Sequence, residues 1–139
     1  MLVSPEELHW NARLANLPRL SEFGTVTQGF VTGADEIFII QKRQVPDSEG
    51  AVYIDYLPDR VISRYKLPAR ADEVVFYPFE DGEELDQKAL ANRFPKTWAY
   101  LLAHRSQLQA RKSVLAGTVQ WWRPERPREP ARLLRPKIV

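Results

Sequence analysis

Apolar residues recur at helical spacing in two parts of the chain. Residues 4–18 open with a serine that can cap a helix, a proline suited to the first turn and a glutamate three residues after the serine, and they predict a short N-terminal helix. Residues 94–115 show a longer repeat between Pro95 and Gly117 and predict one long amphipathic helix. The expected apolar face of this helix comprises Trp98, Leu101, Leu102, Leu108 and Leu115. The expected solvent side carries Arg105, Arg111 and Lys112.

Strands are predicted where β-branched and aromatic residues cluster between turn signals. The stretches concerned are residues 20–31, 36–45, 51–67 and 73–79, of which 51–67 is expected to hold one or two strands interrupted by Pro58 and Asp59. The last of these, EVVFYPF, is almost continuously apolar, which is typical of a strand buried on both faces. The final RPKIV, residues 135–139, reads as the start of another strand with no turn after it. We therefore expect the chain to be a fragment of a longer protein.

The stretch GFVTG, residues 29–33, is a loop with two glycines four positions apart. We expect Gly29 and Gly33 to adopt positive φ angles, and Thr32 and exposed main-chain amides to lie beside the backbone of a ligand. A phosphate loop would need a lysine and a hydroxyl residue after its second glycine, but carboxylates follow here and would repel phosphate. The third glycine of a dinucleotide-binding fingerprint is also missing, so a nucleotide site is not expected.

Candidates for catalysis are few in this sequence. The chain has no cysteine, which excludes disulfides, zinc–thiolate sites and cysteine nucleophiles. His9 and His104 fall in the two predicted helices, and we expect each to be a surface or partly buried helix residue and not a ligand. The acidic run at 80–86 lacks the alternating ligand pattern of a calcium loop, and no Ser-His-Asp set can be placed. We expect no catalytic residue and no metal site in this chain.

The sequence offers no sign of a membrane or secretory protein. No apolar run approaches the roughly 18 to 20 residues that would span a bilayer. The first twenty residues lack the charged start and apolar centre of a signal peptide. We therefore expect a cytoplasmic location and no membrane partner.

Charge is distributed unevenly along the chain. Residues 1–92 carry nine lysines and arginines against sixteen acidic residues, whereas residues 93–139 carry eleven against two. A basic block of this kind is typical of a chain that meets a polyanion such as nucleic acid. A solvated basic tail, or one that pairs with the acidic half within the fold, would produce the same composition.

The order of these features resembles the TaqI-like specificity domain, the target recognition domain of adenine-specific DNA methyltransferases and fused restriction-modification enzymes. The loop matches that family's G-x-x-T-G-x-N/D-x-x-F pattern at Gly29, Thr32, Gly33, Asp35 and Phe38. The long predicted helix matches the family's helix pattern at Phe94, Pro95, Tyr100, Leu101, Leu108 and Arg111. The resemblance spans about residues 20–139, and this chain has Asp35 where many relatives have asparagine.

The resemblance implies a module that grips double-stranded DNA and reads bases near the methylated adenine. Such enzymes must extrude that base, but the [N/D/S]-P-P-[Y/F/W] motif that holds it and the glycine-rich site for S-adenosylmethionine are both absent here. The chain would then need no cofactor of its own, and S-adenosylmethionine would belong to a covalently linked methyltransferase domain. The implied fold class is α+β, with a twisted, mostly antiparallel sheet, the helix at about 94–115 packed against it and the short N-terminal helix.

The candidate DNA-binding residues combine the loop, the basic residues and one tryptophan. Arginine and lysine engage phosphates, and arginine can also read guanine edges. Trp121 and Trp122 are adjacent, so we expect one to be core and the other to face DNA or a linked domain. The candidates are Gly29, Thr32, Gly33, Lys42, Arg43, Arg105, Arg111, Lys112, Trp122, Arg123, Arg126 and Arg128.

Two other functions fit the same sequence. In a protein-interaction module the acidic half would bind a partner and the basic segment would be a solvated linker. A general RNA-binding domain is the weaker alternative, because the aromatic signature of the common RNA-recognition fold is missing. The dependence of binding on salt would distinguish a nucleic-acid site from a protein interface.

Overall fold

A computed structural model describes residues 4–15, 17–25, 28–64, 66 and 68–133 of the chain. Helices and antiparallel strands are both present, so the expected α+β class is confirmed. Among the described residues, no helix combines the length and the apolar character that crossing a bilayer requires.

The strands form a three-stranded antiparallel sheet and a small hairpin. Strands β1 (Ile39–Gln41), β2 (Tyr53–Tyr56) and β3 (Glu73–Phe76) are ordered β1-β3-β2, so β3 is central. This position fits the prediction from its apolar run, since Val74, Val75 and Phe76 are all buried. Strands β4 (Phe79–Glu80) and β5 (Glu83–Glu84) pair through a two-residue turn with positive φ angles.

Eight short helices accompany these strands within the described part of the chain. Helix α1 (Pro5–Leu14) confirms the predicted N-terminal helix. The others are α2 (Leu20–Phe23), α3 (Asp35–Phe38), α4 (Gln87–Arg93), α5 (Pro95–Ala103), α6 (Arg105–Gln109), α7 (Lys112–Leu115) and α8 (Pro130–Leu133).

The core lies between the sheet and helices α3 to α6. Phe38 and Phe76 stack with ring centroids 5.9 Å apart, and Tyr53 meets Phe76 edge-on at 6.0 Å. The cluster is formed by hydrophobic residues, so its burial supplies the main stabilisation of the fold. Its buried members are Ala34, Ile37, Phe38, Val52, Phe76, Leu85, Leu90, Phe94, Leu101, Leu108 and Trp122.

A buried carboxylate joins the sheet layer to helix α5. Glu49, only 2% exposed, accepts hydrogen bonds from the main-chain N–H groups of Lys96 (2.9 Å) and Thr97 (2.7 Å) at the start of the helix. Burial would raise the pKa of Glu49, but hydrogen bonds from Thr97 and Lys96 and the Lys96 charge outweigh it, and the pKa is lowered. A carboxylate at this end also complements the helix dipole, so Glu49 acts as an N-cap supplied from another part of the chain.

Three expectations about secondary structure are wrong. In the described part of residues 20–31 the structure has helix α2 and, at Val31, an isolated bridge to Arg126 in place of a strand. The stretch 36–45 is divided among α3, β1 and a 3-10 turn at Lys42–Gln44. Helix 94–115 is three helices, and the predicted strand at 135–139 lies outside the described residues.

The break in the long helix has an identifiable cause. His104 leaves helical geometry between α5 and α6, and Arg111 is extended (φ −62°, ψ 139°) before α7. With this extended backbone the Arg111 side chain turns inward, where it bonds the carbonyl of Leu108 three residues earlier and that of Thr32, which lies outside the helix. The predicted apolar face is also too wide, since Leu102 is 42% and Leu115 75% exposed.

Candidate nucleic-acid interface

The glycine loop and the arginine-rich segment lie side by side, although nearly a hundred residues separate them. Val31 and Arg126 exchange two main-chain hydrogen bonds, of 3.2 and 2.9 Å, in an antiparallel bridge. The N–H of Glu125 adds a third bond to the Thr32 carbonyl at 3.1 Å. We call residues 28–33 and 123–128 together the seam.

Arg111 holds the seam together from beneath. It is 8% exposed, and its Nε donates to the carbonyl of Leu108 at 3.0 Å. One terminal nitrogen donates to Thr32 in the loop at 3.0 Å. The other reaches three carbonyls on the opposite side of the seam, those of Gln120 (3.4 Å), Trp121 (2.8 Å) and Arg123 (2.9 Å).

The environment of Arg111 gives it a structural role. Its guanidinium stacks 5.1 Å from the centre of the Phe38 ring, inside the core. Burial lowers the pKa of Arg111, an effect that the charge of Glu125 opposes. Because its donors are occupied and its side chain is buried, contact with DNA is not open to Arg111, and the expectation of a solvent-facing arginine is wrong.

Thr32 is also used internally. The residue is 3% exposed, and its hydroxyl donates to the carboxylate of Asp35 and accepts the N–H of Ala34 at 3.1 Å. These local bonds shape the turn that leads into α3. Thr32 therefore orders the loop instead of presenting its hydroxyl to a ligand.

The two loop glycines differ in what they require. Gly33 has φ +74°, as expected, and a Cβ there would lie 2.5 Å from the side chain of Glu125. Glu125 is itself fixed by a hydrogen bond from the Ser113 hydroxyl at 2.6 Å. Gly29 is not among the glycines with positive φ, so that expectation is wrong, and apart from its two chain neighbours no atom of the described residues lies within 4 Å of where its Cβ would stand. Of the two loop glycines, Gly29 is therefore the one whose main chain a ligand can approach.

The outer face of the seam carries two arginines and an amide. Arg126 is exposed and donates to the Gln28 side-chain oxygen at 2.8 Å. Arg128 is half-buried and donates to the Gly29 carbonyl at 3.3 Å and to Gln28 at 3.5 Å. The hydrogen bonds that hold these guanidinium groups end on neutral oxygens, so neither positive charge is neutralised by them.

Arg128 stands in a strained backbone conformation. Its φ of +61° is in the left-handed region, which residues other than glycine seldom occupy. The Tyr77 hydroxyl donates to the Arg128 carbonyl at 2.9 Å and fixes this geometry. Burial, with the charges of Glu84 and Glu129, raises the pKa of Tyr77 to about 12. The phenol therefore keeps its proton, and its donor role, throughout the neutral range.

One tryptophan of the adjacent pair is in the core, as expected, but it is Trp122, the residue that was expected to face a ligand. Trp122 is 3% exposed and belongs to the core, so it cannot be the residue that faces a ligand. Trp121 is half-buried, and its ring centre lies 5.3 Å from that of Trp98. The guanidinium of Arg105 covers Trp121 at 5.2 Å. Arg105 thus has an aromatic partner near the seam and remains exposed.

The other cationic candidates are dispersed. Arg123 belongs to the seam but forms a two-pronged ion pair with Glu84. Lys112 is exposed at the start of α7. Lys42 and Arg43 lie at the far end of β1 from α3, away from the loop, and the Lys42 ammonium pairs with Asp55 at 2.6 Å.

Three residues of the site carried no signal in the sequence. Gln28 is an ordinary polar residue, and its role depends on the approach of Arg126 and Arg128. Tyr77 matters through its hydrogen bond to the Arg128 carbonyl, and the Glu125 side chain matters through its position beside Gly33. Among the residues that the structure describes, no three His, Cys, Asp or Glu side chains gather in a way that could hold a metal ion.

The chain was also compared with known families and curated proteins. A scan against protein-family models gives no match, and a search of the curated proteins gives none either. What the seam can bind is therefore inferred from its own chemistry.

Proposed function

We propose that this chain is a sequence-specific DNA-binding module, the target recognition part of an adenine-specific DNA methyltransferase or restriction-modification enzyme. The observation that carries the DNA-binding part is the seam, in which the glycine loop and the arginine-rich segment pair directly. The link to methyltransferases rests on the resemblance of the loop and helix motifs.

The outer face of the seam has the chemistry of a duplex-binding surface. The guanidinium groups of Arg126 and Arg128 can engage phosphate oxygens, and arginine can also bond the O6 and N7 atoms of guanine. The Gln28 side-chain oxygen accepts from both arginines, and its amide nitrogen keeps N–H donors that can bond the N7 atom of a purine in the major groove. Both types of contact therefore lie within one small surface.

Gly29 supports the same proposal from the main chain. No side chain projects there, and no neighbouring atom occupies the space that a Cβ would fill. A duplex backbone could approach the loop closely at this point, whereas at Gly33 the Glu125 side chain occupies the space in the Cβ direction. In the proposal, Gly29 is the glycine that lies beside the ligand.

The catalytic steps would take place elsewhere in the parent protein. We propose that a covalently linked methyltransferase domain binds S-adenosylmethionine and transfers the methyl group, while this chain positions the duplex. A cytoplasmic location follows from that role, since the substrate would be the cell's own DNA or that of an infecting phage.

A protein-interaction module remains the second candidate, and one observation favours it. The N-terminal segment exposes large apolar side chains, with Trp10 53%, Leu17 57% and Phe23 77% exposed. Apolar surface of this kind is typical of a segment that a partner covers. In a multidomain enzyme the linked domain could be that partner, so the two candidates are not exclusive.

The test measures duplex binding by the full chain over a range of salt concentrations. Replacing Arg126 and Arg128 with alanine should weaken binding and flatten the salt slope by up to about 1.8, or about 0.9 for each lost phosphate contact. A matched control replaces Arg19 and Lys88, two exposed cations outside the seam, and should leave the slope as it is. Equal slopes for both double variants, or no duplex binding by the unchanged chain, would contradict the proposal.

A further inference from the structure

A second group of cations lies at the end of the three-stranded sheet. The N–H of Lys42 donates to the Asp72 carbonyl at 2.9 Å and extends the pairing of β1 with β3 by one residue. Beyond this bond, residues 41–43 on one side and residues 69–72 on the other, with Asp55, line an open cleft of about 780 Å³. We call this the sheet-end cleft.

The cations of the sheet-end cleft differ in their partners. The Lys42 ammonium bonds the Asp55 carboxylate at 2.6 Å, which offsets both charges. Arg43 and Arg70 also line the cleft and are exposed. Within the described part of the chain, neither arginine has a carboxylate at ion-pair distance. Two guanidinium groups are therefore available to an anion.

The walls of the cleft are fixed by hydrogen bonds. In the turn that carries Arg43, the N–H of Gln41 donates to the Gln44 side chain at 2.9 Å, and the Gln41 side chain caps the turn in return. The Gln41 amide also donates to Glu73 on β3 at 3.1 Å. A rigid wall lowers the entropy lost on binding, because less of the site has to be ordered.

We propose that the sheet-end cleft binds phosphate groups, with Arg43 and Arg70 as the ligating side chains. Guanidinium groups suit this ligand because their planar donors match the oxygens of a phosphate. The inference rests on the proposed function for its source of phosphate, which is the DNA backbone. The cleft is then a second contact, separate from the seam, that fixes the orientation of the duplex.

Asp72 limits the affinity of the cleft. Its carboxylate is exposed and lines the same space as the two arginines, where it repels an anion. Replacing Asp72 with asparagine keeps the size and removes the charge. The variant Asp72→Asn should bind duplex several-fold more tightly at low salt, an effect that a purely structural role for Asp72 would not produce.

The main experiment observes the arginine side chains of the full chain by nuclear magnetic resonance. Duplex DNA should shift the Nε–Hε signals of Arg43 and Arg70 and leave that of exposed Arg13 in place. The double variant Arg43→Ala/Arg70→Ala should lose about 1.8 units of salt slope in duplex binding, while Arg19→Ala/Lys88→Ala should lose none. Inorganic phosphate, titrated separately, serves as the probe for a small ligand.

The possible results distinguish failure of the cleft proposal from failure of the proposed function. If the chain binds duplex through Arg126 and Arg128 but the Arg43 and Arg70 signals stay in place, the cleft proposal fails and the proposed function survives. If inorganic phosphate shifts both signals and duplex does not, the assignment to the DNA backbone is overturned. Shifts with duplex, a lower salt slope in the cleft double variant and tighter binding by Asp72→Asn together support it.

Discussion

The inner and outer sides of the seam use the same residue type for opposite purposes. Beneath the seam, Arg111 is 8% exposed and donates hydrogen bonds to five main-chain carbonyls. On its outer face, the Arg126 and Arg128 side chains donate to the Gln28 side-chain oxygen and the Gly29 carbonyl and keep access to solvent. The basic half of the sequence therefore contains arginines that stabilise the surface from within as well as arginines that are exposed on it.

The difference follows from the hydrogen-bond acceptors that each guanidinium group can reach. A buried donor without a partner loses the free energy of its hydration, so an interior arginine needs several acceptors at fixed positions. For Arg111 these acceptors are main-chain carbonyl groups, among them those of Thr32 and Arg123. An exposed arginine keeps water as a partner and can exchange it for a phosphate.

The largest expected effect is the loss of the interior arginine. Arg111→Ala removes the side-chain donor of the Trp121 and Arg123 carbonyls and one of the two donors of the Thr32 carbonyl, and it empties the space above Phe38. We expect the free energy of unfolding to fall by roughly 3 to 5 kcal/mol in urea denaturation. Arg105→Ala, which removes an exposed arginine from Trp121, should cost less than about 1 kcal/mol. Similar losses for the two variants would show that Arg111 does not hold the seam.

The second prediction concerns the two glycines. Gly33→Val should destabilise the chain by on the order of 1 to 3 kcal/mol through its positive φ, with a further cost from displacing Glu125. Gly29→Val should melt within a few degrees of the unchanged chain, because no atom crowds that position. If the duplex approaches Gly29, this stable variant should nevertheless bind DNA poorly. Normal binding by Gly29→Val would show that the loop is only a turn.

The third prediction concerns Glu49, which like Arg111 is a buried charged residue that bonds main-chain groups. Its pKa in the folded state is lowered from the ordinary value of 4.5, so its stabilisation is present above that value and is lost as pH falls through the folded value. Glu49→Gln should therefore lower the melting temperature at pH 7. The difference from the unchanged chain should shrink as the pH is lowered below 4.5. A difference that stays constant with pH would mean that the carboxylate charge contributes nothing.

The smallest expected change in stability comes from Arg128, the outer arginine with the strained backbone. We expect its replacement to stabilise the chain slightly, whereas Arg111→Ala destabilises it. Arg128→Gly removes a guanidinium from the surface but relieves a φ of +61°, so the chain should melt at or slightly above its original temperature. Its affinity for duplex should fall at the same time. Arg128→Asn, which tolerates the same conformation, is the matched control and should bind equally weakly. Full binding by either variant would show that Arg128 makes no contact with DNA.

Several features of the fold could be predicted because their causes are local. The N-terminal helix follows from a capping box and a proline, and β3 follows from an apolar run that only a central strand can bury. The positive φ at Gly33 was expected from the glycine itself. Each of these signals lies within a few residues of the structure that it specifies.

The candidate site was only partly predictable because its decisive contacts are distant in sequence. Arg111 and Trp122 carry the same signals as surface residues of their types, yet both are buried. The break before α7 depends on carbonyls from residues 32 and 120–123, which no periodicity in 94–115 reveals. Gln28 gains its place in the site only when the C-terminal segment arrives beside it.

The sequence alone determined the α+β class, the position of the central strand, the glycine loop and the excess of positive charge in the second half. Tertiary structure decided which arginines face inward and which outward, which tryptophan joins the core and which glycine stays open. The reason is physical. Helix and strand signals arise from neighbours in the chain, whereas the burial of a charge depends on acceptors that only the folded chain brings together.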